Sequence, residues 1–541
     1  MKKILFLFIA ITLLAFCLIG CDIILPSKPE DDGTVPTSDG VFDYRLNDDK
    51  QSYTVIGLKE DKAEDVEIPA TFNKLPVTAI ALDAFHLNSI TGIKIPYSIE
   101  SIGLSAFSMC KNLSDITVDE KNPVYKSVDG ILYSKDGKTL VCYPMNKSLV
   151  EFVIPEGVTE IGNESFFSSD RLQSVVISKG VKKISSSAFF GSEHLSSVTF
   201  LSGEVEIDIL AFSNTGLTSI ELPEGITQIN SYMFSRCEKL TDVKLPESLT
   251  TISTAAFSGC KSLTDIVIPR AVQKIENDAF SNTALTEIFI PENVTGATDV
   301  PFGAFCHCET LCNINIDEKN SVYKSVDGIV YSKDGKTLVF YPNGKPEEEF
   351  VIPEGVTKVG NTSFYYAKNL KSVVISEGVT EIGSGAFSNC SSLINVSFSD
   401  SVKIIRSRAF DSCVFLEKLV IGNGVTDIET EAFKTCWRLK QVIIGDKVER
   451  ISTRAFLQAS DLVSVVIPKS VTSIGTNAFG ACDSMEKIFF AGNAEEWEKM
   501  PVSPDCGDGL VGVAVYFFSE NQPEAEGNFW HYNDLGEPIA W

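Results

Sequence analysis

Histidine is scarce in this sequence, and the motifs of several enzyme classes are missing. Only four His occur among 541 residues, at positions 86, 194, 307 and 531, and none lies in an HExxH motif. Neither a GxSxG nucleophile elbow nor a GxxxxGK[ST] phosphate loop is present. These absences disfavour zinc proteases, serine hydrolases and nucleotide-binding enzymes. We therefore predict a protein without catalytic residues, a bound metal or a cofactor.

Basic residues are also few compared with acidic ones. Lys and Arg total 46 against 72 Asp and Glu, which gives a formal net charge of −26 at pH 7. Such a surface repels phosphate backbones, so nucleic acid is not expected as a partner. Trp is rare at 4 residues, whereas Phe reaches 35. That imbalance indicates one recurring structural position that Phe fills.

A long apolar run occurs only at the N-terminus. Lys2 and Lys3 precede an apolar segment over 4–19, which is too short to span a membrane comfortably and ends at Gly20-Cys21. This layout resembles a lipobox and predicts a lipoprotein signal peptide over 1–20, with Cys21 as the lipidation site and the link to a membrane. An ordinary signal peptide with an incidental Cys is the alternative. Residues 21–40 are rich in Pro, Asp and Gly, so they are predicted to form a flexible tether.

The rest of the chain repeats itself. A small residue, or Met in one case, followed by Phe recurs fifteen times, and nine of the fourteen intervals between these Phe are 23 residues long. Two intervals are 59 residues long, which equals one repeat plus 36. The recurring Phe are at positions 85, 107, 166, 189, 212, 234, 257, 280, 305, 364, 387, 410, 433, 456 and 479.

One unit, residues 240–260, reads LTDVKLPESLTTISTAAFSGC. The alternation of Val243 and Leu245 predicts a strand, which Pro246 ends because proline cannot donate to a sheet. The segment around Ala256-Phe257 is predicted to be a short helical or 3-10 turn. A single unit cannot bury its apolar residues, but stacked units form a continuous core.

The pattern LTxIxIPxxVTxIGxxAFxxC resembles the BspA-like leucine-rich repeats of bacterial surface proteins, over about residues 75–490. The resemblance implies a repeat solenoid, a right-handed curved coil that is mainly β, with a parallel sheet on one face. It also implies adhesion to host or neighbouring-cell proteins. Residues 41–74 are expected to form an N-terminal β cap. Residues 491–541, with Trp497, Trp530 and Trp541, are expected to form a C-terminal cap.

Both 59-residue intervals contain the same insertion. Residues 119–141 match 317–339 at 21 of 23 positions. Asp136-Gly137 and Asp334-Gly335 predict hairpins within insertions near 118–150 and 316–348. The acidic side chains Asp119, Glu120 and Asp136 are expected to serve turns rather than Ca²⁺, because no full calcium loop surrounds them.

Cysteine follows the same repeat. Eight of the 14 Cys stand three residues after a repeat Phe, where other units have Ser, Thr, Asn or Ala. The position requires a small side chain, which favours buried free thiols over disulfides. Cys306, His307, Cys308 and Cys312 form the one metal-like cluster, but their spacing does not converge on an ion. The eight are Cys110, Cys237, Cys260, Cys308, Cys390, Cys413, Cys436 and Cys482.

The residue between the two inward positions of each predicted strand should face outward. In the last six units five of these residues are apolar, and they predict an exposed stripe that binds a ligand. The alternatives are that β-branched residues simply favour strands, or that the opposite wall of the coil covers them. The predicted ligand-binding residues are Val374, Val420, Ile443, Val466 and Phe489.

These features favour a lipid-anchored, surface-exposed protein of the cell envelope that binds proteins, as an adhesin for host matrix or neighbouring cells. A structural or carbohydrate-binding envelope lipoprotein is the second hypothesis. An enzyme with its site in the caps is the third.

Overall fold

The computed structural model describes residues 37–61, 64–201, 203–295, 303–500, 510, 512–523 and 527–541. The predicted signal peptide over 1–20, Cys21 and most of the predicted tether lie outside the described residues. Within the described ranges the chain is a β-solenoid of stacked coils, and it contains one six-residue α-helix. The predicted repeat solenoid is confirmed.

The elements follow one another in three groups. The N-terminal part contains β1 Thr37–Ser38, β2 Phe42–Leu46, β3 Tyr53–Leu58, β4 Asp65–Glu67, β5 Thr71–Phe72, β6 Leu75–Ile80, β7 Gly92–Ile95, β8 Ser101–Ile102 and β9 Asp115–Val118. The middle part contains β10 Tyr125–Val128, β11 Ile131–Ser134, β12 Thr139–Cys142, β13 Glu151–Val153, β14 Glu160–Ile161, β15 Ser174–Ile177, β16 Lys183–Ile184, β17 Ser197–Phe200, β18 Glu206–Ile207, β19 Ser219–Glu221, β20 Gln228–Ile229, β21 Asp242–Lys244, β22 Thr251–Ile252, β23 Lys274–Ile275, β24 Glu287–Ile290, a 3-10 helix at Gly303–Phe305 and β25 Asn313–Ile316. The C-terminal part contains β26 Tyr323–Val326, β27 Ile329–Ser332, β28 Thr337–Phe340, β29 Glu349–Val351, β30 Lys358–Val359, β31 Ser372–Ile375, β32 Glu381–Ile382, β33 Asn395–Phe398, β34 Ile404–Ile405, β35 Lys418–Val420, β36 Asp427–Ile428, β37 Gln441–Ile443, β38 Arg450–Ile451, β39 Ser464–Ile467, β40 Ser473–Ile474, β41 Lys487–Phe490, α1 Ala494–Lys499, β42 Ala514–Phe518, β43 Phe529–Tyr532 and β44 Pro538–Ala540.

Each regular coil contributes one strand to each of two parallel ladders. Ladder A is formed by the longer strands, as in β31–β33, where Ser372 pairs with Asn395. Ladder B is formed by two-residue strands, as in β30–β32, where Lys358 pairs with Glu381. In both cases the partner lies 23 residues further along, so the sequence period equals one coil. Side chains alternate along ladder A, so Val243 is buried while Lys244 is exposed.

The turn that contains the repeat Phe differs from the predicted helix. Around Phe257, the backbone of Ala255 (φ 53°) and Gly259 (φ 78°) is left-handed. The N–H groups of Ala255, Phe257 and Gly259 therefore point to the next coil, where they donate to carbonyls 2.8–3.1 Å away. Hydrogen bonds between coils thus replace hydrogen bonds within a helix. In one corner, at Gly303–Phe305, the chain does form a 3-10 helix.

The repeat Phe stack on one another through the core. Ring centroids of successive Phe lie between 4.6 Å, for Phe364–Phe387, and 5.9 Å, for Phe85–Phe107. Each insertion continues the stack with a tyrosine, since Tyr143 stacks on Phe166 at 4.9 Å and Tyr341 stacks on Phe364 at 4.8 Å. The long intervals are therefore a 36-residue coil followed by an ordinary one.

The two insertions divide the core into three stacks. The predicted hairpins are present as β10–β11–β12 and β26–β27–β28. The two faces of the middle strand belong to different cores: Leu132 packs into the first stack, whereas Ile131 and Tyr133 pack into the second. In the second copy, Val330 packs into the second stack and Tyr331 into the third. Each hairpin is thus a wall with a stack on either side.

Both ends differ in detail from the expectation. The strand β1 lies inside the predicted tether and pairs with β2. Part of the predicted N-terminal cap is already solenoid, because β4 lies in ladder A beside β7. At the other end, β42, β43 and β44 extend ladder A beyond β41. Ladder A also lacks a strand around Val267, although Ile266 and Ile268 remain buried there.

Candidate binding surface

The outward positions of ladder A form a line of side chains across the coils. The parallel register places Val351 beside Val374, and Val374 beside Ser397. In the following sheet Val420 lies beside Ile443. Neighbouring members are about 4.8 Å apart, the spacing of paired strands. We call this line, from Val351 through Val374, Ser397 and Val420 to Ile443, the outer stripe.

Three of the predicted ligand-binding residues lie on the outer stripe. Val374 is 38% exposed and Val420 is 48% exposed, while Ile443 is half-buried. Val351, which is 59% exposed, was missed by the sequence reasoning, although it precedes Phe364 by 13 residues just as Val374 precedes Phe387. The Ile352-Pro353 pair after this strand is the signal that marks it as a ladder A strand.

The expected exposure of Val466 and Phe489 is wrong. Both occupy the outward position of their strands, but their exposures are only 2% and 3%. Trp530 covers them, with its ring 5.5 Å from that of Phe489 and its Nε1–H donating to the Phe490 carbonyl at 2.9 Å. The C-terminal cap therefore closes the outer face of the sheet as well as the end of the solenoid.

The C-terminal hairpin β43–β44 sets one end of the outer stripe. The turn between its strands reaches back to ladder A, where Glu537 forms an ion pair with Lys418 at 3.4 Å. Lys418 and Val420 both point outward from β35. The stripe is therefore open from Val351 to Val420 and is bounded beyond that by a segment of the chain itself.

Elsewhere the outer face of ladder A is mixed: Val153 is 60% and Phe289 is 50% exposed at outward positions, whereas other coils carry charged residues there. Lys94 pairs with Glu67 at 2.8 Å, and Lys244 pairs with Glu221 at 3.3 Å, in each case across neighbouring strands. These exposed pairs contribute little to stability, because water screens the charges. None of the five residues of the outer stripe is charged, which distinguishes the stripe from these ion-paired positions of the earlier coils.

A concave surface, separate from the outer stripe, lies on the turn side of the third stack. This groove has a volume of about 660 Å³ and runs over four coils, from Thr362 to Glu431. Half-buried Tyr365 lies in it, together with Asn389 and Asp411. Burial raises the pKa of Asp411, and Arg408 donates to Glu431 at 2.6 Å. The groove combines an aromatic ring with several hydrogen-bonding side chains.

The side chain three residues after each repeat Phe, which is often Cys, donates a hydrogen bond in several coils. Cys390 is fully buried, and its Sγ–H donates to the carbonyl of Phe364 in the preceding coil at 3.0 Å. Ser192 fills the same position and donates to the Phe166 carbonyl of the preceding coil, whereas Thr215 donates to the Phe212 carbonyl of its own coil. Burial raises the pKa of the Cys390 thiol to about 12. The predicted burial is confirmed, and the hydrogen bond explains why Cys, Ser and Thr share the position.

The residues considered for chemistry are dispersed. The imidazole of His307 packs on Tyr366 at 4.3 Å, that of His531 stacks on Trp541 at 3.7 Å, and Cys308 donates to the Phe280 carbonyl at 3.0 Å. No group of three or more His, Cys, Asp or Glu placed to bind a metal ion occurs within the part of the chain that the structure describes.

The acidic residues of the insertions serve turns, as predicted. Asp119 accepts from the Lys121 N–H at 2.8 Å. Asp136 accepts from the Lys138 N–H and from Ser134, and the bond to Lys138 lowers its carboxyl pKa. Asp334 repeats this arrangement with Lys336 and Ser332 in the second copy.

Comparison with known proteins finds one matching family and several similar solved structures. The family described as BspA type leucine rich repeat region matches in six copies, over residues 62–128, 142–238, 205–326, 339–463 and 449–500. No curated protein matches. Among solved structures, a leucine rich cell surface protein from Faecalibacterium prausnitzii A2-165 is 25% identical, covers 87% of this chain and 98% of its own, and has a TM-score of 0.39.

Two further structures cover similar shares of the chain. The pneumococcal vaccine antigen PcpA is 18% identical over 87% of this chain and 97% of its own, with a TM-score of 0.47. A leucine-rich repeat protein from Bacteroides ovatus ATCC 8483 is 23% identical over 89% and 100%, with a TM-score of 0.38. Over the described residues, no helix has the length and apolar character needed to cross a membrane.

Proposed function

Because this chain belongs to the BspA type leucine-rich repeat family, we propose that it is a protein-binding protein of the bacterial cell surface, held by a lipid on Cys21. In this role it acts as an adhesin for host matrix or neighbouring cells. The outer stripe is its docking surface. The stacked coils serve as a rigid scaffold, and no catalytic step is part of the proposal.

The exposed apolar line of the outer stripe carries this proposal. Val351, Val374 and Val420 present their side chains to solvent from regular, hydrogen-bonded strands. An exposed apolar surface on a rigid sheet is typical of an interaction site, because its burial on binding releases ordered water without cost in backbone order.

The partner that this surface fits is a basic protein segment with aromatic side chains. Trp530 provides the precedent for the aromatic side chain, because its ring is completely buried on the same line of residues. The net charge of −26 supports the basic character, since opposite charge speeds encounter and favours docking. Trp and Arg are also the residues that most often carry interface energy.

The test compares two matched triple variants for binding to immobilised extracellular-matrix proteins. The first replaces Val351, Val374 and Val420 with Ser. The second replaces the similarly exposed Val128, Val326 and Val322, which lie on the insertions, with Ser. We expect at least a tenfold loss of affinity for the first variant alone. Equal affinity of both variants and the unaltered chain, at unchanged melting temperature, contradicts the outer stripe as the docking surface.

The groove on the turn side favours carbohydrate binding as a second candidate function. An aromatic ring such as Tyr365 can stack on a sugar, while Asn389, Asp411 and Arg408 offer hydrogen bonds to hydroxyl groups. Binding of soluble oligosaccharides that is lost in Tyr365→Ala, but kept in Tyr97→Ala on another exposed surface, supports this candidate. Absence of binding to a broad glycan panel removes it.

A further inference from the structure

The first insertion leaves a cavity at the corner between the first two stacks. Its volume is about 240 Å³, and Phe107, Cys142, Met145, Glu160, Glu164 and Phe167 are among the residues that line it. It exists because the insertion coil supplies Tyr143 to the aromatic stack but lacks the left-handed corner turn of a regular coil. A void of this size accommodates a ligand of about ten non-hydrogen atoms, since a benzene-binding cavity measures about 150 Å³.

The wall on the side of the first stack presents hydrogen-bond donors. In the preceding coil, the N–H groups of Asp83 and Phe85 donate to the carbonyls of Leu104 and Ala106. The corresponding N–H groups of Ser105 and Phe107 have no hydrogen-bond partner among the described residues. Phe107 is buried and Ser105 is half-buried, and a backbone donor that is withdrawn from solvent requires an acceptor. An oxygen atom of water or of a ligand meets that need.

The opposite wall presents negative charge. Glu164 reaches across the gap and accepts from the hydroxyls of Ser105 and Ser108. Glu160 accepts from Ser185 at 2.9 Å. The residues that line the cavity are all described, and they include no Lys, Arg or His. A ligand with an ammonium group would therefore compensate the carboxylates through charge-assisted hydrogen bonds.

The second insertion provides an internal comparison, because residues 103–169 align with 301–367 at a constant offset of 198. There Phe340 takes the place of Cys142, and it is buried. Lys358 replaces Glu160, and Thr362 replaces Glu164. The near-identical hairpins thus tolerate either a small or a large residue at this corner. The carboxylates of Glu160 and Glu164 have no counterpart at the second corner.

We propose that the cavity between the first two stacks binds a small hydroxylated aromatic amine. The ammonium group lies against Glu164 and Glu160, the ring packs between Phe107, Phe167 and Met145, and the hydroxyl oxygen accepts from the N–H groups of Ser105 and Phe107. This site lies on the turn side of the coils, away from the outer stripe, so it is independent of the proposed docking function.

The test measures binding of tyramine and tyrosol to the full chain by titration calorimetry, since the two probes differ only in an ammonium or a hydroxyl group. We expect tyramine to bind at least tenfold more tightly than tyrosol. Cys142→Phe gives the first insertion the residue that the second insertion has at Phe340. This variant should lose tyramine binding without a change in melting temperature. Glu164→Thr should remove the preference for tyramine, even if Cys142→Phe fails to fold.

Val153→Ser, on the exposed outer face of ladder A, serves as the control and should bind tyramine normally. Three results overturn the proposal. The first is the absence of tyramine binding to the unaltered chain. The second is equal affinity for the two probes. The third is undiminished tyramine binding by a folded Cys142→Phe variant.

Discussion

A single aromatic side chain per coil connects the sequence pattern to the core. Phe410 is fully buried and stacks on Phe387 at 4.9 Å and on Phe433 at 5.1 Å. The rings sit at the same place in every regular coil because left-handed residues on both sides of the Phe fix the turn. The sequence period was enough to predict the Phe position. The left-handed backbone was not predictable, since residues as different as Ala255, Arg408 and Glu431 adopt it.

We predict that Phe410→Ala destabilises the third stack strongly. Removing a fully buried Phe costs ~3–5 kcal/mol, because the cavity that is left cannot collapse between two fixed coils. Phe415→Ala is the control, since Phe415 is exposed and its main contact is the guanidinium of Arg438, 4.2 Å from its ring centroid. Urea unfolding should show a large fall in midpoint for the first variant and a small one for the second. Similar midpoints contradict the role of the stack.

The buried thiols predict a loss of stability at high pH. Burial raises the pKa of Cys110, Cys142, Cys390 and Cys482 from the ordinary 9.0 to about 12. Above pH ~9 the unfolded chain releases these protons while the folded chain retains them, so the unfolded state is favoured progressively. We expect the free energy of unfolding to fall between pH 9 and 12, with less change in a variant that has Ser at the eight repeat Cys positions. An equal fall in both proteins contradicts this account.

Thiol labelling checks the same residues at neutral pH. Buried, protonated thiols react slowly, because the thiolate is the reactive form. We expect the eight repeat cysteines to react with a thiol reagent only in guanidinium chloride. Failure to react after unfolding, without a reductant, would indicate disulfides instead of free thiols.

At the scale of secondary-structure elements, the insertion hairpins could be predicted from the sequence, but their role as walls could not. Asp136-Gly137 and the matching second copy indicate the turns directly. The assignment of the two faces of β11 and β27 to different cores depends on which coils stack against them. That information is tertiary, and neither copy of the insertion contains it in its own 23 residues.

Because the two faces of β27 pack into different stacks, we predict that substitutions on each face loosen only the stack that they contact. Tyr331→Ala should increase hydrogen exchange in the third stack, since Tyr331 packs there. Val330→Ala should increase exchange in the second stack, because Val330 is fully buried on that side. Exchange measured by mass spectrometry distinguishes the two patterns. If each variant loosens both stacks equally, the hairpin does not separate the cores.

The C-terminal hairpin shows where the sequence reasoning was misleading. Strand periodicity placed Val466 and Phe489 on the outer face correctly, and it gave no sign that Trp530 would cover them. Trp530→Ala should release the hairpin and expose both residues, at a cost of ~3–5 kcal/mol for the lost packing. Binding of a fluorescent apolar dye should rise in this variant. An unchanged dye signal would mean that other residues hold the hairpin in place.

At the scale of the whole molecule, the repeat fixes the scaffold and the charge affects its partners. The net charge of −26 predicts that association with a basic partner slows as salt screens the long-range attraction. Raising sodium chloride from about 50 mM to about 500 mM should lower the association rate more than it raises the dissociation rate, given a screening length of only a few ångström at high salt. An association rate independent of salt contradicts a basic partner.

The central claim is that a protein partner docks on the outer stripe. Carbene footprinting of the chain, alone and bound to a matrix protein that it recognises, tests this most directly because it labels exposed apolar side chains. The account predicts that Val351, Val374 and Val420 lose labelling in the complex, while Val128 and Val326 keep theirs. Protection confined to the insertions or the caps, with these three valines still labelled, would contradict it.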